Sequence, residues 1–131
     1  STEEEKDLRD FYKRLLNLTI QSDALMGEYQ QIHYFNKDQT ESYDHRMFSF
    51  CRWSETEKLV ILSNFDNTKA YQFNLKIPKD IISKWNLTEK EYHLEDQLYK
   101  KEMPLLYVGE DGIGQFSIQI KPLESFIFKV N

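Results

Sequence analysis

Apolar and polar positions follow two rhythms along this chain. Over residues 2–20, Leu8, Phe11, Tyr12, Leu15, Leu16 and Leu18 recur every three or four positions, with Lys6, Arg9, Asp10, Lys13, Arg14 and Asn17 on the opposite side. That spacing predicts one long amphipathic helix. Thr2 with Glu5 fits a reciprocal capping pair, and three glutamates in the first turn suit the positive end of the helix dipole. Residues 21–27 then turn the chain, with Gly27 available for a positive φ angle. From Glu28 onward the period becomes two, and strands are expected at 29–35, 47–53, 59–65, 71–77, 92–96, 105–108, 115–120 and 125–130. Between them, 36–45 reads as a long polar, mobile loop. Pro78 ends a strand, and Ile81, Ile82 and Trp85 at helical spacing predict a helix of one or two turns.

The segment 46–67 is expected to be the centre of the fold. Its two apolar runs flank the polar connector Ser54 to Lys58, which predicts an antiparallel hairpin. Phe48 and Phe50 point to one face, while Ser49, Cys51 and Trp53 point to the other; Val60 and Leu62 likewise oppose Leu59, Ile61 and Phe65. Both faces are largely apolar, so the hairpin should be covered on both sides. By contrast, Tyr71, Phe73, Leu75 and Ile77 alternate with polar residues, as do Phe116, Ile118 and Ile120, which marks strands with one wet face. The fold class expected is mainly β: an antiparallel β-sandwich of about eight strands preceded by one long amphipathic N-terminal helix. The helix occupies 1–22 and the all-β domain 28–131.

Bulk properties narrow the partners. A chain of 131 residues can bury a core without disulfides or metal, and its single cysteine, Cys51, sits between aromatics where a buried, inert thiol is expected. The net charge of −5 argues against nucleic acid and against an anionic membrane surface. No apolar run reaches membrane-spanning length. The opening Ser1 to Glu5 is acidic, unlike a secretion signal, and the lack of an initiator Met is expected of a fragment or processed chain, which leaves the compartment open.

The ordered set of pieces resembles the C-terminal end of an α-amylase-type glycoside hydrolase, meaning the last helix of a (β/α)8 barrel and the small β-sandwich after it. The likeness is carried by LRDFYKRLLNL (8–18), Asp23-Ala24-Leu25 with Gly27 and Tyr29, FSFCRW (48–53), KLVILSNFDN (58–67), YHLEDQL (92–98) and IKPLESFIFKV (120–130). It implies a non-catalytic domain whose partner is the catalytic barrel of the same parent chain, acting in α-glucan breakdown. It implies no cofactor in this stretch and leaves room for calcium in the parent enzyme. Glycoside hydrolysis needs two carboxyl groups flanking the scissile bond, and in barrel enzymes these lie at strand ends upstream of this sequence. No catalytic residue can therefore be carried over. The apolar stripe of the leading helix also suggests self-association once the barrel is removed.

Among the residues themselves, His33, His45 and His93 show no metal-ligand spacing, Glu110-Asp111-Gly112 lacks the alternating ligands of a calcium loop, and no Gly-rich phosphate loop is present. Asn17-Leu18-Thr19 and Asn86-Leu87-Thr88 match the glycosylation pattern, the first on a helix where chance accounts for it. Aromatics are the remaining feature, because sugar rings stack on flat exposed side chains. The candidates are Trp85, Trp53, Tyr99 and Tyr107, with Tyr43 and Tyr34. Two further readings stay open beside the amylase-domain one: an independent α-glucan-binding module, and a structural domain unrelated to carbohydrate.

Overall fold

The computed structural model describes residues 22–101 and 104–131, together with positions 2, 3, 6, 10 and 13. The helix expected over 2–20 lies outside the described residues except at those five positions, where the Lys6 amide donates to the Thr2 carbonyl at 3.1 Å.

The rest of the chain is a short 3-10 turn (Asp23–Met26), then β1 (Glu28–Gln31), α1 (His33–Gln39), β2 (Met47–Trp53), β3 (Lys58–Asn64), β4 (Tyr71–Ile77), α2 (Lys79–Lys84), β5 (Glu91–Asp96), β6 (Leu105–Val108), β7 (Gly114–Ile120) and β8 (Ser125–Val130). All neighbours are antiparallel, in the order β1-β2-β3-β8-β5-β6-β7-β4. Two separate facing sheets were expected, and the structure differs. Strand β5 changes partner part-way: Glu91, Tyr92 and His93 pair with β6, whereas Leu94, Glu95 and Asp96 pair with β8. One continuous eight-stranded sheet results, curled so that its two halves face each other. Their inward side chains meet in a single core, with Cys51, Val60, Leu62 and Phe128 from one half against Leu75, Ile77, Leu106 and Phe116 from the other.

The central hairpin forms as the pattern predicts. Its register pairs Phe50 with Ile61 and Cys51 with Val60. Val60 and Leu62 enter the main core, while Leu59 and Ile61 on the reverse face join Ala24, Leu98 and Ile127 in a second cluster. The covers are thus the opposite half of the curl inside, and the 3-10 turn with the segment after β5 outside. Glu57 holds that outer cover in place: its carboxylate accepts from the Ser22 hydroxyl and from the Ala24 amide at 3.2 Å. Strands β4 and β7 alternate between core and surface, as strands with one wet face must.

The strand expected at 29–35 and the mobile loop expected at 36–45 are both corrected. Strand β1 ends at Gln31, and helix α1 follows. Ile32, Asn36 and Thr40, four residues apart, are all buried. Asn36 is the pivot. Its side-chain amide donates to the carbonyls of Ile32 at 2.8 Å and Lys76 at 2.9 Å, and its oxygen accepts from the Lys76 amide at 2.8 Å and the Thr40 hydroxyl at 2.7 Å. Lys76 lies on β4, the sheet edge opposite β1, so one side chain hydrogen-bonds that edge as a neighbouring strand would. Tyr43, from the same supposed loop, is buried, with its hydroxyl 2.8 Å from Ser49 Oγ and 3.0 Å from His33 Nδ1.

A second buried polar group ties the turn after β3. Asp66 accepts from the Thr68 and Lys69 amides, the Thr68 hydroxyl and, at 2.7 Å, the Tyr71 hydroxyl, with Arg46 Nη1 at 3.3 Å. These donors, the Thr68 amide foremost, hold its carboxyl well below the usual carboxylate range.

Two predictions follow from these groups. Replacing Asn36 by Ala leaves both polar groups of Lys76 unpaired at the edge and should lower stability by about 2–3 kcal/mol, read as a lower urea midpoint; an unchanged midpoint contradicts the role. Asp66 has a folded pKa below its unfolded value, so its contribution is full above about pH 4 and is lost as pH falls further. The melting temperature of Asp66→Asn should therefore decline less steeply than wild type on acidification, and parallel curves contradict this.

Candidate functional site

At one end of the curl, where β1 begins beside the β2–β3 turn and the end of α2, the surface opens into a cleft of about 710 Å³. Its walls come from Gly27, Glu28 and Tyr29, from Trp53, Ser54, Glu55 and Lys58, and from Lys84, Trp85 and Asn86, with Met26 at the rim. The α2 segment reaches this place because Ile81 and Ile82 anchor it in the core, and the Ile81 and Ile82 amides both bond the Pro78 carbonyl.

Trp53 and Trp85 meet edge to face here, with ring centroids 5.9 Å apart and planes at 78°. Trp85 is only 3% exposed and belongs to the core. Its expected place as an open stacking platform is corrected, since its ring is used in packing α2 against the sheet. Its indole nitrogen is buried with no hydrogen-bond partner among the described residues. Trp53 is partly buried against that core, and the Lys84 ammonium lies 5.9 Å from its ring centroid. The cleft mixes two carboxylates, Glu28 and Glu55, with two ammonium groups, Lys58 and Lys84.

Gly27 shapes the rim. Its φ is −95°, so the positive φ expected there is not used. Close approach is the reason for glycine: a Cβ at this position would collide with the Trp53 carbonyl. Arg52 reinforces the approach by donating to the Gly27 carbonyl at 3.0 Å, with its guanidinium 5.6 Å from the Tyr29 ring centroid.

The other sequence candidates are not gathered here. Tyr99 is half-buried in the outer cluster with the Lys101 ammonium 5.5 Å from its ring centroid, and Tyr107, 45% exposed, stands on β6. Tyr34 is exposed on α1 and Tyr43 buried. Sequence reasoning missed Glu28, Lys58 and Lys84, which join the tryptophans only through the β1–β2–β3 pairing and the placement of α2, and Tyr29, whose ring turns to the other face of the sheet against Phe50 and Arg52.

Elsewhere the chemistry is quiet. Among the described residues no three His, Cys, Asp or Glu side chains cluster as metal ligands, and no helix is long and apolar enough to cross a membrane. Cys51 is fully buried, which pushes its thiol pKa up. Asp96 is buried and accepts from the amides of Leu98, Tyr99 and Lys101, so its oxygens serve a turn.

The outer surface of β1 and β2 carries a line of rings. Tyr29 and Phe50 lie 5.3 Å apart, Phe50 and Phe48 5.7 Å, and Phe48 and His33 5.6 Å. Tyr29 is 51% and Met26 80% exposed.

Known structures share this architecture. A variant of AmyP in complex with maltotriose superposes with a TM-score of 0.63 at 15% identity, covering 99% of this chain and 22% of that one. The fold is that of one segment of an α-amylase. An Anoxybacillus α-amylase, described as representing a new glycosyl hydrolase subclass, gives 0.60 at 18% identity over 95% of this chain and 22% of its own. AmyP in complex with maltose gives 0.62 at 16%, over 98% and 21%. This chain thus spans about a fifth of the length of the structures it matches. No family model and no curated protein matches the sequence.

Gly27→Ala should force β1 away from Trp53 and lower stability by about 1–3 kcal/mol in denaturant unfolding. A midpoint equal to wild type contradicts the close-approach account.

Proposed function

We propose that this chain is a non-catalytic domain of an α-amylase-like glycoside hydrolase, packed against a catalytic (β/α)8 barrel of the same parent chain that acts in α-glucan breakdown. The observation carrying this reading is the fold match over nearly the whole chain to about a fifth of each amylase structure. Two features of the surface support it. The continuous line of rings Tyr29, Phe50, Phe48 and His33 on the outer face of β1 and β2, with Tyr29 half exposed, suits a domain that docks on a larger neighbour. The buried carboxylates Asp66 and Asp96 are engaged by backbone amides and hydroxyls, an arrangement for holding turns and not for donating protons to a glycosidic oxygen.

The direct test is the coding sequence upstream of Ser1 together with assays on the purified chain. The reading expects an upstream barrel carrying paired carboxylates, no α-glucan hydrolysis by the chain alone, and self-association in sedimentation as uncovered apolar surface finds a second copy. Absence of a barrel, or measurable turnover by the isolated chain, overturns it.

A further inference from the structure

We propose that residues 2–20 of this same chain lie across the outer face of β1, β2 and β3, with the apolar stripe of the segment seated on the ring line. The face is continuous. Tyr29 to Phe50, Phe50 to Phe48 and Phe48 to His33 are centroid steps of 5.3, 5.7 and 5.6 Å. Phe50 also packs against the outer cluster of Leu59, Ile61 and Ile127, as does Leu25. Phe48 and Phe50 are half-buried and Tyr29 is 51% exposed, so the described residues leave this apolar surface partly open. The outer face of β4 and β7 is different in kind. It presents Gln72, Asn74, Gln115, Ser117 and Gln119, all exposed, which give an apolar stripe nothing to bury against.

The segment fits the ring face in pattern, in length and in where it is tied. Glu3, Lys6, Asp10 and Lys13, spaced three and four apart, are helical and exposed. At about 100° per residue, the side opposite them carries Leu8, Phe11, Tyr12, Leu15, Leu16 and Leu18 over an arc of about 160°. A helix over 2–20 spans about 28 Å, against about 23 Å for the seven-residue strands β2 and β3. The tether selects the face. Ser22 is buried with its hydroxyl on the Glu57 carboxylate, and Ala24 enters the outer cluster, so the chain leaves the domain on this side. Only Gln21 separates Ile20 from that anchor, a reach of about 7 Å. A stripe tied so closely meets the adjoining face at high effective concentration, ahead of any free partner. Its arc is broader than one sheet contact uses, which leaves a side for a further neighbour. In the amylase-domain reading that neighbour is the barrel, and the rings meet it through this segment. The contact itself stands without that reading, because it uses only the face, the stripe and the tether.

The test is a spin label on the full chain, read by two-dimensional NMR. Cys51 is the one native cysteine and is fully buried, so Lys13→Cys supplies the thiol that reacts. At a concentration where sedimentation shows a monomer, the label should broaden the amide signals of Tyr29, Phe48 and Phe50 and spare those of Gln72, Asn74 and Ser117. Leu15→Asp, which puts a charge in the middle of the stripe, should abolish the broadening, and Lys6→Asp on the exposed side should leave it. Sharp signals at Tyr29, Phe48 and Phe50, broadening centred on β4 and β7, or equal responses to Leu15→Asp and Lys6→Asp overturn the proposal. Broadening of an isotope-enriched, unlabelled chain mixed with spin-labelled chain also overturns it, since the occupant is then a second copy. Absence of an upstream barrel removes the amylase-domain reading and leaves this contact, whereas a failed label experiment removes the contact and leaves the fold match.

Discussion

One side-chain amide closes this fold. A curled sheet of eight strands leaves two edges, β1 and β4, with unpaired backbone groups that must be satisfied or left to water. Asn36 hydrogen-bonds both the amide and the carbonyl of Lys76 on β4, while its other bonds tie it to Ile32 and Thr40 at the two ends of α1. Because α1 grows directly from the end of β1, the segment that begins on one edge is fastened to the other. The curl is therefore shut by a polar contact buried at the seam, and the core between its halves depends on that seam staying closed.

The same closure organises the surfaces. With α1 across one side, the inner faces of β2 and β3 meet β4, β6 and β7, and the reverse face of β3 is left for a second, smaller apolar cluster under the 3-10 turn. Glu57 pins that turn, and Gly27 lets the chain pass against the Trp53 carbonyl into β1. The cleft is what remains at the end of the curl where α2 and the β2–β3 turn do not meet. Its walls come from the strand ends at Glu28, Trp53 and Lys58, the end of α2 at Lys84, and the turns around Ser54 and Asn86.

Much of this was legible in the chain. The two-faced hairpin, the half-wet strands β4 and β7, the helix after Pro78 and the buried Cys51 all follow from apolar periodicity, because burial there is by apolar side chains. The misses share a cause. The inward stripe of α1 is Ile32, Asn36 and Thr40, two of them polar, so hydropathy hides a helix that hydrogen bonding buries. The partner change within β5 leaves no mark on composition, and it turns two expected sheets into one. At the site, Trp53 and Trp85 were both named, yet the helical spacing that places Trp85 beside Ile81 and Ile82 also points it into the core. Gly27 is needed for close approach to the Trp53 carbonyl and not for a positive φ, and close approach is a tertiary fact that local sequence does not carry.

The seam holds the two halves of the curl together as one body around the shared core. The central claim is that Asn36 stands in for a missing strand on β4, and amide hydrogen exchange of β4 tests it most directly. By strand alternation the amides of Gln72 and Asn74 point the same way as that of Lys76, outward from β7. The account predicts that the Lys76 amide exchanges slowly, like the core strands, while those of Gln72 and Asn74 exchange fast. A Lys76 amide as labile as its two neighbours would contradict it.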